Sequence, residues 1–519
     1  MSLAKHIDPE KLVEEARKGV VVREEPHMHS FAYGTRYASE GIPKFKMPEK
    51  STSASVVYRI CRDDMELDGR PLMNCATFLT TWMDPEADKL IMDALSKNFV
   101  NQEELTGTQM IHERCISILS HLWNIPKDHQ AIGTATVGSS EGVMLGGLAM
   151  KWKWKERREK DGKDTSKPNI VFGANAQIAL EKFARYFDVE PRIVNISEQS
   201  NYVSDPEEVV KLCDENTIGV YAILGSTFTG HFEPIERLAG LLDEYEKKTG
   251  NYIPIHVDGA SGAFIAPFAF PNLKWSFDIP KVVSINASGH KFGLSYPGVG
   301  WVLWRGEEYL PKDLIFEMDY LGGTEKTFTL NFSRPACFVI SQYYNFLRLG
   351  IEGYTEIMET CLQNARLLSV SLEKSGYFDV VSNIHIKKEE GKEVKRSEDF
   401  HEGLPLVAFK LSDSFKKTNP HVRQKAVSGL LQMRYWMLPS YKLPPKCDDE
   451  EIIRVVVRES LTEEMVDRLV NDIIHTMEVL ESSSRVESEA YAEGIGAKPD
   501  DSNQKMQFNN EQSTFARPC

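Results

Sequence analysis

The sequence predicts an α/β fold: a large, mainly parallel-sheet domain followed by a smaller α+β C-terminal domain. Three observations carry this. A chain of 519 residues exceeds what one hydrophobic core serves. Between residues 58 and 350, short apolar runs alternate with amphipathic segments, as βα units require. Beyond 351 the order changes to a long helical stretch, two strand-like runs and a closing helix.

Taken in order, residues 1–57 are mixed and punctuated by Pro26, Pro43 and Pro48, which reads as an N-terminal arm with short helices. In the large domain (58–350), the apolar runs 169–173, 218–223, 253–258 and 282–286 read as strands, and 142–159 and 236–248 as helices. In the C-terminal domain (351–481), strand-like runs lie at 406–409 and 452–457, and a helix at 462–480. The densely charged stretch 387–402, which carries Gly391, reads as a solvated loop. From 482 to 519 the chain turns to Ser, Glu, Asn, Gln and Asp, the composition of a disordered tail or one ordered on a partner. That tail lacks tryptophan and a basic amphipathic pattern, so calmodulin is not supported as a partner.

A formal net charge of -15 argues against a nucleic-acid binder and gives no support to an anionic membrane as partner. No apolar stretch is long enough to span a bilayer, and the first residues lack a signal-peptide core, so a cytoplasmic protein is expected. Eight scattered cysteines form no CxxC pair and stand beside no histidine cluster. No metal site is expected, and such thiols suit a reducing compartment.

Three segments, each weak alone, fit one cofactor together. Residues 136–142 place small residues and the hydroxyls of Ser139 and Ser140 before a long helix, where free N–H groups and the dipole attract an anion. Taken alone, this is equally an N-cap. Asp258 ends a strand, the position of ligand contacts in open α/β sheets, and is followed by the small residues of Gly259-Ala260-Ser261-Gly262-Ala263. A carboxylate there can keep a pyridine nitrogen protonated; the plain alternative is a turn cap. Lys291 follows the apolar strand 282–286 in Ser288-Gly289-His290-Lys291. A lysine desolvated there becomes a neutral amine able to form an imine, whereas an isolated Ser-Gly-His-Lys would read as a surface loop. A phosphate-type loop, a strand-end aspartate and a strand-end lysine in that order imply pyridoxal 5'-phosphate, held by Lys291 as a Schiff base. The basic, tryptophan-bearing stretch 151–160 reads instead as a helix with tryptophans packed and lysines in water.

Long colinear stretches then carry a resemblance: GSSEGVMLGGLAMKWKWK, EKFARYFDVE, CDENTIGV, HVDGASGAFIAPF, INASGHKFG, GVGWVLWR, DYLGGTEKTFTLNFSRPA and QYYNFLRLGIEGY. From about Tyr58 to Leu480 the chain resembles the group II pyridoxal-phosphate-dependent decarboxylases and, among them, the glutamate decarboxylases. The resemblance implies a fold type I transferase-like architecture, a homodimer at least with a shared active site, and an amino-acid substrate. It assigns Lys291 to the cofactor aldehyde and Asp258 to the pyridine nitrogen. It places Ser139, Ser140, Ser288 and His290 on the phosphate, with Ser333 reaching it from a neighbouring chain. Gln177 falls where the ring is stacked, a position often held by histidine in related enzymes, and Thr227 near the ring hydroxyl or substrate carboxylate. Arg454 matches an α-carboxylate arginine, and Thr77, Phe78, Asn98 and Asn101 match a glutamate pocket. Tyr320, with His290 as rival, matches a proton donor to Cα.

Two departures stand out. Asn101 stands where many relatives carry aspartate; an amide can still donate to a carboxylate. No histidine follows His475, so the C-terminal histidine closure of some bacterial relatives is not expected. The implied reaction is loss of CO2 from L-glutamate, leaving 4-aminobutanoate. The alternatives are a decarboxylase of another amino acid and a non-catalytic scaffold.

Overall fold

A computed structural model of the chain describes residues 46–493 except 131, 321–322, 390 and 392–393, together with residues 10, 13 and 14. Two units are distinct: residues 1–70 with 496–519, and Pro71–Ile495. In the first, the described helix α1 (Ala54–Met65) carries an Arg59–Asp63 ion pair one turn apart at 3.1 Å. The expected boundary at 57/58 falls inside this helix.

The second unit holds two main sheets. Its larger sheet comprises β1 (Ile132–Thr136), β2 (Asn169–Gly173), β3 (Glu190–Val194), β4 (Thr217–Ile223), β5 (Ile255–Asp258), β6 (Val282–Ser288) and β7 (Gly300–Trp304). Their spatial order is β1-β7-β6-β5-β4-β2-β3, and β7 alone runs against the rest. β4 and β6 are buried along their whole length, which is why they read as unbroken apolar runs. Helices α2 (Pro85–Ala94), α3 (Thr106–Leu122), α4 (Ser139–Lys160), α5 (Ile178–Tyr186), α6 (Pro206–Lys211), α7 (Ile235–Thr249) and the single turn α8 (Ala266–Ala269) accompany it. α4 packs across β4 to β7, and Trp154 on it is buried with its indole N–H on the Glu215 carbonyl at 3.1 Å.

The smaller sheet is antiparallel, in the order β10 (Phe378–Val380), β11 (Leu406–Leu411), β13 (Glu451–Val456), β12 (Ser440–Lys442). A hairpin of β8 (Phe316–Tyr320) and β9 (Gly323–Thr327) precedes it. The expected α/β architecture, with a large mainly parallel sheet and a smaller second one, is what the chain adopts. The long helix α9 (Cys337–Lys374) begins well before 351, because a left-handed Gly350 (φ 59°) kinks it and masks its first half in the sequence pattern. α10 (Asp413–Thr418), α11 (Gln424–Met433) and α12 (Glu463–Ser482) complete this part.

The tail expected from 482 begins instead with a helix, α13 (Arg485–Glu493), packed on α11. Ser488 is buried there and accepts the Arg423 N–H at 3.2 Å, so this stretch has tertiary partners that composition does not reveal. The remainder of the expected tail lies outside the described residues. In the charged loop, Lys387 and Phe400 form an antiparallel bridge that closes its base. Among the described residues no helix is long and apolar enough to cross a membrane.

Candidate active site

The C-terminal ends of β1, β2, β4, β5 and β6 open onto one cavity of about 340 Å³. Parallel strands place their ligand contacts at this end, because the following turns and helix N-termini face a common crevice. Ser139, Ser140, Gln177, Thr227, Asp258, His290 and Lys291, all expected from the sequence, line it.

At one end β1 turns through Val137 and Gly138 into α4, so Ser139 and Ser140 occupy the first turn of a 22-residue helix. Its unpaired N–H groups make this an anion site. Glu141 braces the turn from behind: its carboxylate is buried and accepts the N–H groups of Val137 (2.9 Å), Leu330 (2.9 Å) and Asn331 (3.3 Å). Across from it, His290 Nδ1 donates to the Val299 carbonyl at 2.8 Å, which leaves Nε2 as an acceptor. Burial, with the Lys291 charge second, pushes the His290 pKa down to about 4, so the ring is neutral near pH 7.

At the other end stands Asp258. Its Oδ1 accepts the Ala260 N–H at 3.1 Å and the Asn286 amide at 2.9 Å. Lys291 lies beyond the end of β6, its Nζ donating to Ser261 Oγ at 3.2 Å and lying 5.2 Å from the Phe78 ring centroid. Burial lowers its pKa; Asp258 opposes that shift and Arg454 adds to it. The lysine backbone is clamped from both sides. Thr80 donates its N–H to the His290 carbonyl (3.0 Å) and its hydroxyl to that of Lys291 (2.8 Å). From α9, Gln342 and Tyr354 both reach the Gly293 carbonyl at 2.8 Å.

Two further contacts fix the surroundings; Gln177 lines the cavity, whereas Arg454, Thr77 and Phe78 stand beside it and do not line it. Gln177 caps α5 by accepting the Ala179 N–H at 2.8 Å. Arg454, from β13, donates to the carbonyls of Thr227 (2.8 Å) and Ala76, with its guanidinium between the rings of Phe78 (5.2 Å) and Tyr441 (5.6 Å). Its Nε is buried without a hydrogen-bond partner. Phe78 thus joins Arg454 to Lys291, and the neighbouring Thr77 Oγ1 is used by the Leu79 N–H at 3.2 Å.

Other expected residues do not line this cavity. Asn98 Nδ2 donates to Ser333 Oγ at 3.1 Å, so these two form a pair of their own. Asn101 donates to Glu104 Oε2 at 3.2 Å, and its carbonyl oxygen is buried without a partner. Tyr320 ends β8, and its side chain lies outside the described residues. Absent from the sequence reading were Glu141, Ser261, His256 and Asn286. The last two lie at alternate positions of buried strands, His256 with Asp258 in IHVD and Asn286 with Ser284 and Ser288 in VVSINAS, a pattern that marks one polar face but no partner.

Residues 55–388 match the model of the pyridoxal-dependent decarboxylase conserved domain. The chain belongs to this family. It is 48% identical over 443 residues to a glutamate decarboxylase of Solanum lycopersicum, covering 85% of this chain and 84% of that one. Glutamate decarboxylase 1 of Arabidopsis thaliana is 47% identical over 462 residues, with 88% and 87% covered. Among solved structures, the glutamate decarboxylase of Lactobacillus brevis superposes with a TM-score of 0.78 at 37% identity, covering 86% of this chain and 97% of that one.

The family's cofactor is pyridoxal 5'-phosphate, and the residues present fit it. Ser288 Oγ is buried with no hydrogen-bond partner, a hydroxyl in want of an acceptor. A Cβ on Gly138 would come 3.1 Å from His290 Cε1, so the bare backbone keeps the phosphate end open. A carboxylate and a desolvated amine occupy the ring end, as the cofactor's nitrogen and aldehyde require.

Proposed function

We propose that this chain is a glutamate decarboxylase, converting L-glutamate to 4-aminobutanoate and CO2. One observation carries the reading. A half-buried Lys291 and a strand-end Asp258 face one cavity whose far end is a helix N-terminus, in a chain whose relatives at 44–48% identity include several named glutamate decarboxylase.

The bound cofactor supplies an electron sink for the pair left at Cα when CO2 departs. The chain's residues do the rest. Ser139, Ser140, Ser288 and the α4 N-terminus would hold the phosphate, with His290 closing that end. Lys291 Nζ, its pKa lowered by burial, would hold the cofactor covalently. Asp258 would keep a proton on the ring nitrogen, Gln177 would lie against the ring face, and Thr227 would approach the ring hydroxyl. Arg454, stiffened by Phe78 and Tyr441, would bind the substrate α-carboxylate. With the α-carboxylate so fixed, its desolvation would favour loss of CO2, and Thr77 and Phe78 would belong to the glutamate pocket. The proton to Cα would come from Tyr320, because the neutral His290 ring spends its one N–H on the Val299 carbonyl.

Asn98, Asn101 and Ser333 act together in this reading, serving the site of a second subunit in a homodimer, where Asn98 and Asn101 donate to the distal carboxylate. A cytoplasmic enzyme is the accompanying proposal. The test is product analysis. Purified protein with pyridoxal phosphate should release CO2 and 4-aminobutanoate from L-glutamate, and little from L-aspartate or aromatic amino acids. Turnover of another amino acid with none of glutamate would refute the assignment.

A further inference from the structure

Behind Asp258, inside the sheet, three polar side chains join it to form an unbroken chain of four. The parallel register pairs Asp258 of β5 with Asn286 of β6, and His256 with Ser284. Successive side chains alternate faces, so His256 and Asp258 share one face of β5, and Ser284 and Asn286 one face of β6. The result is Ser284 Oγ to His256 Nδ1 at 2.7 Å, His256 Nε2 to Asn286 Oδ1 at 2.6 Å, and Asn286 Nδ2 to Asp258 Oδ1 at 2.9 Å. His256, Ser284 and Asn286 are each 0% exposed.

The polarity of this chain follows from its last member. An ionised Asp258 can only accept, so Asn286 must turn its N–H towards it and its carbonyl towards His256. His256 must then carry its proton on Nε2 and offer a bare Nδ1 to the Ser284 hydroxyl. Burial, opposed by Asn286 and by Asp258, pushes the His256 pKa down to about 4, which leaves the single-proton ring that this pattern needs. The opposite polarity would turn the Asn286 carbonyl onto the carboxylate, which is tolerable only if Asp258 is protonated.

The fold makes room for this chain. On α4, a Cβ at Gly146 would overlap the His256 ring, and one at Gly142 would come 2.8 Å from Asn286 Cβ. Tyr221 packs edge-on to His256 at 5.2 Å between centroids. Two glycines one turn apart are costly in a helix interior, and here they admit a histidine rather than an aliphatic side chain. The Ala260 N–H and the Asn286 amide both fall on Asp258 Oδ1, which makes Oδ2 the oxygen to offer the ring nitrogen.

We propose that His256 is a positioning residue for the cofactor: it locks the Asn286 amide so that the Asp258 carboxylate is held correctly turned towards the ring nitrogen. The proposal rests on the reading of Asp258 as the ring-nitrogen partner. The test titrates apoprotein with pyridoxal phosphate and measures kcat and KM of the reconstituted enzyme for wild type, Asp258→Asn, His256→Leu and His256→Gln. A glutamine amide can place its N–H near the position of the histidine Nε2–H; leucine cannot. His256→Leu should raise the cofactor Kd and lower kcat by about tenfold or more each, with KM for glutamate within about twofold, and His256→Gln should recover most of both losses. Normal cofactor binding by His256→Leu, or equal losses in the Gln and Leu variants, would overturn the role. Wild type that binds no cofactor, or Asp258→Asn that binds it normally, would instead overturn the assignment of Asp258 on which the proposal stands. If circular dichroism finds apo His256→Leu unfolded, the near-isosteric Asn286→Asp decides. Its second carboxylate should weaken cofactor binding about tenfold or more, and wild-type affinity would sink the proposal.

Discussion

Lys291 Nζ donates to Ser261 Oγ at 3.2 Å, so a single hydroxyl holds the buried amine over the strand end that carries Asp258. Burial takes the lysine below its ordinary pKa while Asp258 opposes the shift. Lys291→Ala should abolish covalent cofactor retention on gel filtration and cut kcat by at least about 10³-fold. A variant retaining its visible absorbance and turnover would remove Lys291 from the chemistry.

Arg454 tests the substrate end. Its guanidinium is wedged between Phe78 and Tyr441 and tied to Thr227, a planar arrangement that an ammonium cannot reproduce. Arg454→Lys should lower kcat/KM for glutamate by about 10- to 100-fold in steady-state assays, mostly through KM. An unchanged kcat/KM would place the arginine outside substrate recognition.

Glu141 ties the phosphate turn to the segment that leads to Ser333, accepting three backbone N–H groups with two oxygens. Glu141→Gln would face at least one of those donors with another donor, at a cost of about 1–3 kcal/mol. The expected outcome is weaker cofactor binding and a lower thermal midpoint together. Wild-type values of both would mean that the turn holds its shape without the carboxylate.

His112 makes the pH prediction. Its Nε2 accepts the Ala135 N–H at 2.9 Å, and burial, with Arg334 second, pushes its pKa from 6.5 down to about 3. The folded ring stays neutral where the unfolded chain takes up a proton. Stability present above pH 6.5 is therefore lost as pH falls towards 3, by about 1.4 kcal/mol per pH unit for this group. His112→Gln keeps an acceptor for Ala135 and cannot ionise. Unfolding free energies from denaturant titrations between about pH 7 and 5 should fall less steeply in the variant, by about one proton's worth of slope. Identical slopes would contradict the neutral buried ring.

Lys291 and Asp258 were legible because each sits just at or past the end of an apolar run, where a lysine or aspartate needs a reason. Ser139 and Ser140 were legible because helix N-termini announce themselves locally. His256 and Asn286 were not, since a polar residue inside a strand has no meaning until its neighbour across the sheet is known. The long helix was only half legible, because a breaker at Gly350 interrupts the periodic pattern that continues on either side.

By itself the sequence determined the buried strands β2, β4, β5 and β6, the turn of small residues before α4, the aspartate and the lysine, all of which depend on residues close together in the chain. Tertiary structure alone decided that β5 and β6 lie side by side in the register that joins His256 to Asp258 through Asn286. It also decided that Arg454 reaches Thr227 from another sheet, and that Asn98 pairs with Ser333 apart from the cavity. Such contacts arise from strand pairing and packing between distant segments, and those are settled by burial of the whole core rather than by any local pattern.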